Sequence, residues 1–269
     1  MSEDEKCFIQ LAKEKNVELI MFNLLEEFKE NEIEDKIRRC DIIYNNSAET
    51  FAIEFIKTAE ALGKRVIEPS KNYYYCEDKW IFFLKCKEHK IPVPETRLLS
   101  ENINLARKEL KDIDKWPVIL KRTEGTMGEF VEKAWNLKEA LFFIKKFWKN
   151  RNEKLPIVVQ EFVPSYCYRV LTLGDDVIQT SIKKGHGWKC TGVYEKRNSR
   201  FKVDYELEEI LKKIRNVFGM KICGVDLVKK DDHWLVLEIN SSPAFDFIKS
   251  ERGLIINKVL DFLIEESKV

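Results

Sequence analysis

Two apolar runs near the C-terminal end each carry a carboxylate: Gly224-Val225-Asp226-Leu227-Val228 and Leu235-Val236-Leu237-Glu238-Ile239-Asn240-Ser241-Ser242-Pro243. They read as two strands joined by the charged turn Lys229-Lys230-Asp231-Asp232-His233. Side chains alternate faces along a strand, so Glu238 and Asn240 point the same way, and Asp226 comes beside them if the strands pair. An ionised carboxylate among Val, Leu and Ile is costly to bury alone, and a hard cation is the simplest compensation. Two carboxylates and an amide oxygen, with other positions left to water and phosphate, suit Mg²⁺. An ordinary hairpin with solvent-facing acids is the alternative that spacing alone leaves open.

A second stretch carries complementary charge. In Trp116-Pro117-Val118-Ile119-Leu120-Lys121-Arg122-Thr123-Glu124-Gly125-Thr126-Met127-Gly128 a buried strand ends in a lysine and runs into a loop with two glycines. Lysine is a compact cation able to reach the α- and β-phosphates of a nucleotide. Backbone N–H groups of a glycine-containing loop can close over the terminal phosphates. The lysine precedes the glycines, so this is not a Walker A loop, and the same residues also fit a plain strand end. A third stretch, Ile157-Val158-Val159-Gln160-Glu161-Phe162-Val163-Pro164, reads as a strand entering a connector. Main-chain groups at Glu161 to Val163 offer the acceptor and donor that adenine needs. An interdomain strand end fits them equally.

The elements that must hold these residues fall into three segments. Up to about residue 70, a short helix at Phe8, Leu11 and Ala12 precedes a strand at Val17–Phe22. A polar helix with Ile33 and Ile37, a strand at Asp41–Tyr44, a helix from Ala48 to Leu62 capped by Gly63, and a strand at Arg65–Glu68 complete the segment. Alternating strands and helices imply a parallel sheet with covered faces, here a small Rossmann-like layer. Its usual first strand and glycine-rich turn are missing, and no GxGxxG occurs, so nucleotide binding is not assigned to it. In the central segment, Lys71–Cys76 reads as a loop. Asp78 caps a helix from Lys79 to about His89, with Ile81, Phe82 and Leu84 inward. A strand at Thr96–Leu99, a helix at Leu105–Leu110 and a core helix from Leu137 to Trp148 follow. In the last segment, Arg169–Leu173 and Val177–Ile182 form a hairpin around Gly174-Asp175-Asp176. An amphipathic helix, Glu206 to Phe218, precedes the opening hairpin, and a helix from Leu254 to Ile264 ends the chain. Antiparallel strands mixed with helices make this an α+β lobe.

Composition narrows the setting. In 269 residues, 47 Lys and Arg against 46 Asp and Glu give a net charge of +1, which argues for neither nucleic acid nor an anionic membrane as partner. No apolar run is long enough to span a bilayer, and the polar start Met1-Ser2-Glu3-Asp4-Glu5-Lys6 shows no signal peptide. Seven scattered cysteines without a CxxC pair exclude zinc-site spacing and point to free thiols in a reducing cytoplasm.

Lys79, the strand and loop from Val118 to Gly128, the connector Gln160-Glu161-Phe162-Val163, Arg169, and the Asp226 and Glu238-Ile239-Asn240-Ser241-Ser242-Pro243 pair occur in one order. Together they resemble the ATP-grasp fold, specifically the RimK-type carboxylate–amine ligases, over about residues 40 to 260. Each motif is weak alone; the Glu-x-Asn-x-x-Pro ending is the most specific. The resemblance implies a short Rossmann-like N-terminal domain (1–70), an ATP-grasp central subdomain (71–162) and a C-terminal subdomain (163–269). By the same resemblance, Lys79 and Lys121 contact ATP phosphates, and Glu124, Gly125, Thr126, Met127 and Gly128 lie over the γ-phosphate. Gln160, Glu161, Phe162 and Val163 form the adenine connector, with Lys189 added to the nucleotide set. Asp226, Glu238 and Asn240 hold two Mg²⁺, with Mn²⁺ as a substitute. Lys183 stands where the family usually has an Arg that stabilises the transferring phosphoryl group, and Arg169 frames the same pocket. Two departures affect the ribose contact and the substrate loop. Cys167 stands where the family has an acid, and Thr191 where it has an Asn followed by Gly-Gly.

The implied activity is ATP-dependent amide formation between a small-molecule or peptide carboxylate and an amine, glutamate or a related amino acid, through an acyl phosphate. Neither nucleic acid nor membrane takes part, and a homo-oligomer is left open. A small-molecule kinase on the same fold and a non-catalytic nucleotide-binding module are the alternatives.

Overall fold

The computed structural model describes residues 2–24, 31–47, 51–125, 128–149, 154–184, 187–189, 197–245 and 248–268. Three sheets carry the described strands. The smallest is the parallel pair β1 (Ile42–Tyr44) and β2 (Arg65–Ile67). Around it lie α1 (Glu3–Glu14), α2 (Glu32–Arg39), α3 (Ala52–Ala61) and α4 (Ser70–Glu77). Ser2 starts α1 with a reciprocal capping box to Glu5. Gly63, at φ +71°, ends α3 in the left-handed conformation that a glycine adopts without strain.

Two expectations for this layer fail. No strand forms at Val17–Phe22. Alternation alone does not make a strand without a ladder partner, and here Leu19 and Met21 face solvent. The stretch Lys71–Cys76 is helical, within α4. Three successive tyrosines are poor helix formers. Packing decides instead: Tyr73 is buried against Ile37, Ile56 and Val66, and Glu60 accepts from both the N–H and the Oγ of Ser70 at the helix start.

α5 (Lys79–Glu88) begins as the sequence requires, with Asp78 accepting from the N–H groups of Trp80 and Ile81. Its inner face is rotated from the expected one: Phe82, Phe83 and Cys86 are buried, and Leu84 is exposed. The reason lies across the chain. Phe82 and Cys86 join a core with Leu207, Leu211 and Phe218 and with Val225, Val236 and Ile239, residues of the last segment.

The central antiparallel sheet has the order β3 (Thr96–Leu99), β6 (Ile157–Glu161), β4 (Val118–Arg122), β5 (Val131–Ala134). β5, a short strand with two charges, has no counterpart among the sequence expectations. Leu99, Val118, Leu120, Ala134, Ile157 and Val159 bury one face of this sheet against α6 (Ile103–Lys111) and α7 (Leu137–Trp148). Alternation sends Ile119, Lys121, Lys133, Val158 and Gln160 to the other face.

The third sheet has the order β11 (His233–Asn240), β10 (Ile222–Lys230), β7 (Cys167–Leu173), β8 (Asp176–Lys184), β9 (Arg197–Ser199), antiparallel throughout. α8 (Tyr205–Phe218) covers one face. It is capped by Asp204 and ended by Gly219 at φ +65°. α9 (Arg252–Glu266), preceded by the 3-10 turn Lys249–Glu251, packs with α1 over one end of the opposite face. Asp231 and Asp232, both at positive φ, make the tight turn between β10 and β11. No helix among the described residues is long and apolar enough to cross a membrane. Cys7, Cys40, Cys76, Cys86 and Cys223 are free thiols. Cys167 is disulfide-bonded, which corrects the expectation of free thiols throughout.

Candidate active site

Register sets the floor of the site. Glu238 pairs with Asp226, Asp226 with Arg169, and Arg169 with Ser181, so one transverse row crosses four strands and shares one face. Within it Arg169 Nη1 donates to Asp226 Oδ2 at 2.9 Å. Lys183, two residues beyond Ser181, donates from Nζ to Asp226 Oδ1 at 3.3 Å. Burial opposes ionisation of Asp226, but Arg169 and Lys183 outweigh it and hold the carboxyl below its usual range. The neighbouring row is Asn240, Gly224, Leu171, Gln179. Asn240 Nδ2 is buried with no partner among the described residues, as is Ser181 Oγ in the first row.

Gly224 explains how Arg169 lies so low. A Cβ built there would stand 2.6 Å from Arg169 Nη2, 3.0 Å from its Cζ and 3.0 Å from Pro243 Cβ. The guanidinium therefore rests on bare backbone, with proline behind it. Gly224→Ala is expected to leave the fold intact and lift Arg169 off Asp226. Displacing a charge-stabilising group by an ångström costs turnover on the order of a hundredfold. Steady-state ADP release beside the far-ultraviolet circular dichroism spectrum checks this; unchanged turnover would remove Arg169 from the site.

The lysines come from two other elements. Lys121 stands on the face of the central sheet opposite α6 and α7, and burial lowers its pKa to about 8, with Glu238 the leading opposing charge and Lys79 adding to the fall. Lys79 opens α5. Its N–H donates to Thr123 O at 2.9 Å and its Nζ to Gly125 O at 2.9 Å. Burial lowers its pKa as well, again against Glu238. Glu238 is thus the carboxylate that both lysines feel most, and the Lys79 ammonium is tied to the glycine loop. Of that loop, Glu124 and Gly125 are exposed, Gly125 and Gly128 have positive φ, and Thr126 and Met127 lie outside the described residues.

At the connector, Glu161 N–H donates to Glu95 O at 2.8 Å and Val163 O accepts from Ser165 N–H at 3.0 Å. The Glu161 carboxylate pairs with Lys230 on β10, tying the connector to the third sheet. Gln160 is buried and donates to Thr96 Oγ1 at 2.9 Å. Phe162 lies 3.5 Å from Lys133 Nζ, which also stands 4.3 Å from the Trp135 ring. Lys189 is half-buried; Cys190 and Thr191 lie outside the described residues. Sequence reasoning missed Ser181 and Gln179. Their signal was available, since they precede Lys183 by two and four residues on one strand and so share its face.

No group of three or more His, Cys, Asp or Glu that could hold a metal ion gathers among the described residues. Two cross-strand carboxylates, with the amide of Asn240 on the same face, fit a hard, oxygen-seeking cation.

Comparison with known proteins accords with this geometry. The RimK-like ATP-grasp domain matches residues 76–263, and the chain belongs to that family. Alpha-aminoadipate–LysW ligase LysX of Saccharolobus solfataricus is 26% identical over 214 residues, 77% of this chain and 76% of that one. Coenzyme gamma-F420-2:alpha-L-glutamate ligase of Methanocaldococcus jannaschii is 27% identical over 245 residues, 86% of this chain and 81% of that one. Among solved structures, D-alanine–D-alanine ligase from Bacillus anthracis complexed with ATP superposes with a TM-score of 0.75 over 99% of this chain and 94% of its own; at 16% identity this likeness concerns the fold.

Proposed function

We propose that the protein is an ATP-dependent carboxylate–amine ligase that forms an amide through an acyl phosphate, with an amino acid as the amine. One observation carries the reading. The row Glu238–Asp226–Arg169 with Lys183 on one sheet, Lys121 on the central sheet and Lys79 at the start of α5 come within electrostatic reach of one another. Opposed acids and cations without a paired nucleophile and base suit phosphoryl transfer, which rests on positioning and charge neutralisation.

Lys79 and Lys121 hold the outer phosphates, and the Glu124–Gly128 loop closes over them. The Glu161 carbonyl and the Val163 N–H read the adenine edge. Asp226, Glu238 and Asn240 would hold Mg²⁺, two ions or Mn²⁺ in their place. The metal, when bound, neutralises charge on the β- and γ-phosphates. Lys183 and Arg169 stabilise the phosphoryl group as the substrate carboxylate takes it, and attack by the amine then releases phosphate. A protein nucleophile is unnecessary. Relatives named for alpha-aminoadipate and alpha-L-glutamate make a dicarboxylic amino acid the first amine to test.

Incubation with Mg–ATP, a metabolite extract and L-glutamate is expected to yield ADP, phosphate and a product heavier by one glutamyl residue, read by mass spectrometry. A stable phosphoester formed without any amine would instead make the protein a kinase.

A further inference from the structure

Glu251 stands at the N-terminal end of α9, where a carboxylate ordinarily takes the unpaired N–H groups of the first turn. It makes no such bond. Its Oε2 accepts from Gln179 Nε2 at 3.0 Å, and its Oε1 takes Arg200 Nε at 2.7 Å and Arg200 Nη2 at 2.6 Å. Gln179 is buried at 5% exposure in the row beside Arg169 and Ser181, about 7 Å along the strand from them. Hydrogen bonds therefore link Gln179, in the row beside the floor of the site, through Glu251 to Arg200.

Glu251 and Arg200 differ in exposure. The Glu251 side chain is 13% exposed and that of Arg200 is 65% exposed. A surface arginine paired with a glutamate contributes little to stability, so fixing one through a buried glutamine is poorly explained by folding alone. Guanidinium has five N–H donors in a planar fork, and Glu251 occupies one edge. The remaining donors have the geometry that takes a carboxylate by two parallel hydrogen bonds. Lys79, Lys121 and Lys183 already face the phosphates and the metal-binding acids. Arg200 directly follows the edge strand β9, on the side of α9.

We propose that Arg200, positioned by Glu251 and Gln179, binds the α-carboxylate of the amino acid that serves as the amine substrate. The assignment rests on the ligase reading and adds to it the residue that recognises the second substrate. Arg200 fixes one end of the amino acid, which leaves its amine free to approach the acyl phosphate near Lys183.

Calorimetric titration of the full chain with L-glutamate, in the presence of Mg–ADP, tests it. Arg200→Ala is expected to weaken L-glutamate binding roughly tenfold or more and to leave Mg–ADP binding unchanged. L-isoglutamine, whose α-carboxylate is an amide, should bind the unaltered protein about as weakly as L-glutamate binds the variant, and should lose nothing further in it. Glu251→Gln should lose part of the affinity through a less firmly held Arg200, a change that a purely structural Arg200 would not show. Equal L-glutamate affinity with and without Arg200 overturns the proposal, as does equal affinity of the unaltered protein for L-isoglutamine. If Mg–ADP binds but no member of an amino-acid panel does, the Arg200 assignment fails while the nucleotide site stands. If Mg–ADP does not bind, the ligase reading itself fails.

Discussion

Glu238→Ala is expected to cut ADP formation by roughly a thousandfold or more while the protein keeps its fold. The side chain is paired across the hairpin with Asp226, and it is the leading charge that counters the burial of both Lys79 and Lys121. Its loss therefore removes a proposed metal ligand and weakens the protonated state of two cations. With that carboxylate gone, burial is opposed by Asp226 alone, and the Lys121 pKa falls below its present value of about 8. The residual activity should accordingly lose its alkaline limb at a lower pH than in the unaltered protein. Near-normal turnover with an unshifted pH profile would dismiss the metal role and the coupling together. An unchanged melting temperature separates this outcome from unfolding, since Glu238 is only half-buried at the cleft wall.

Glu68→Gln is expected to stabilise the protein at pH 8 and leave it unchanged near pH 4.5. Glu68 is 0% exposed. Its Oε1 accepts from the N–H groups of Lys221 at 2.9 Å and Ile222 at 2.7 Å, and its Oε2 from Asn72 Nδ2 at 3.1 Å. Burial raises its pKa from 4.5 to about 6, although those three donors favour the charged form. The folded state thus holds this proton more tightly than the unfolded chain does. Stability from Glu68 is full below pH 4.5 and lost as pH rises through 6. By pH 8 the buried charge costs about 2 kcal/mol. Glutamine keeps an oxygen for both backbone donors, and Asn72 can turn its amide to present oxygen to the new NH₂. The variant should melt several degrees higher at pH 8, the gap closing toward pH 4.5. A gap that is constant with pH would show that Glu68 does not titrate in the folded state.

Much of the site could be read from residue order because its chemistry is written in local pattern. Glu238 and Asn240 share a face by alternation alone, and Asp78 announces its helix by a cap that needs no tertiary context. What escaped the reading depends on distant partners. Tyr73 to Tyr75 are helical because Tyr73 fills a space between α2, α3 and β2. Leu84 faces out because the groove that α5 fills is made by α8 and the last hairpin, more than a hundred residues away. The need for glycine at Gly224 follows from Arg169 on a neighbouring strand, and nothing adjacent to Gly224 in sequence shows it.

Both oxygens of Asp226 are held by cations in this structure, Oδ2 by Arg169 and Oδ1 by Lys183. The charge of Asp226 is therefore already compensated, and under the proposed function the floor would act as an ion exchanger. A divalent cation arriving alone would have to evict Lys183 or Arg169 with no anion to receive either. A polyphosphate arriving alone would have to strip both from a carboxylate left bare. Only a joint arrival lets the acids go to the metal and the cations to the phosphates with charge conserved. Affinity for each should then depend on the presence of the other, and by linkage the dependence must be equal in both directions.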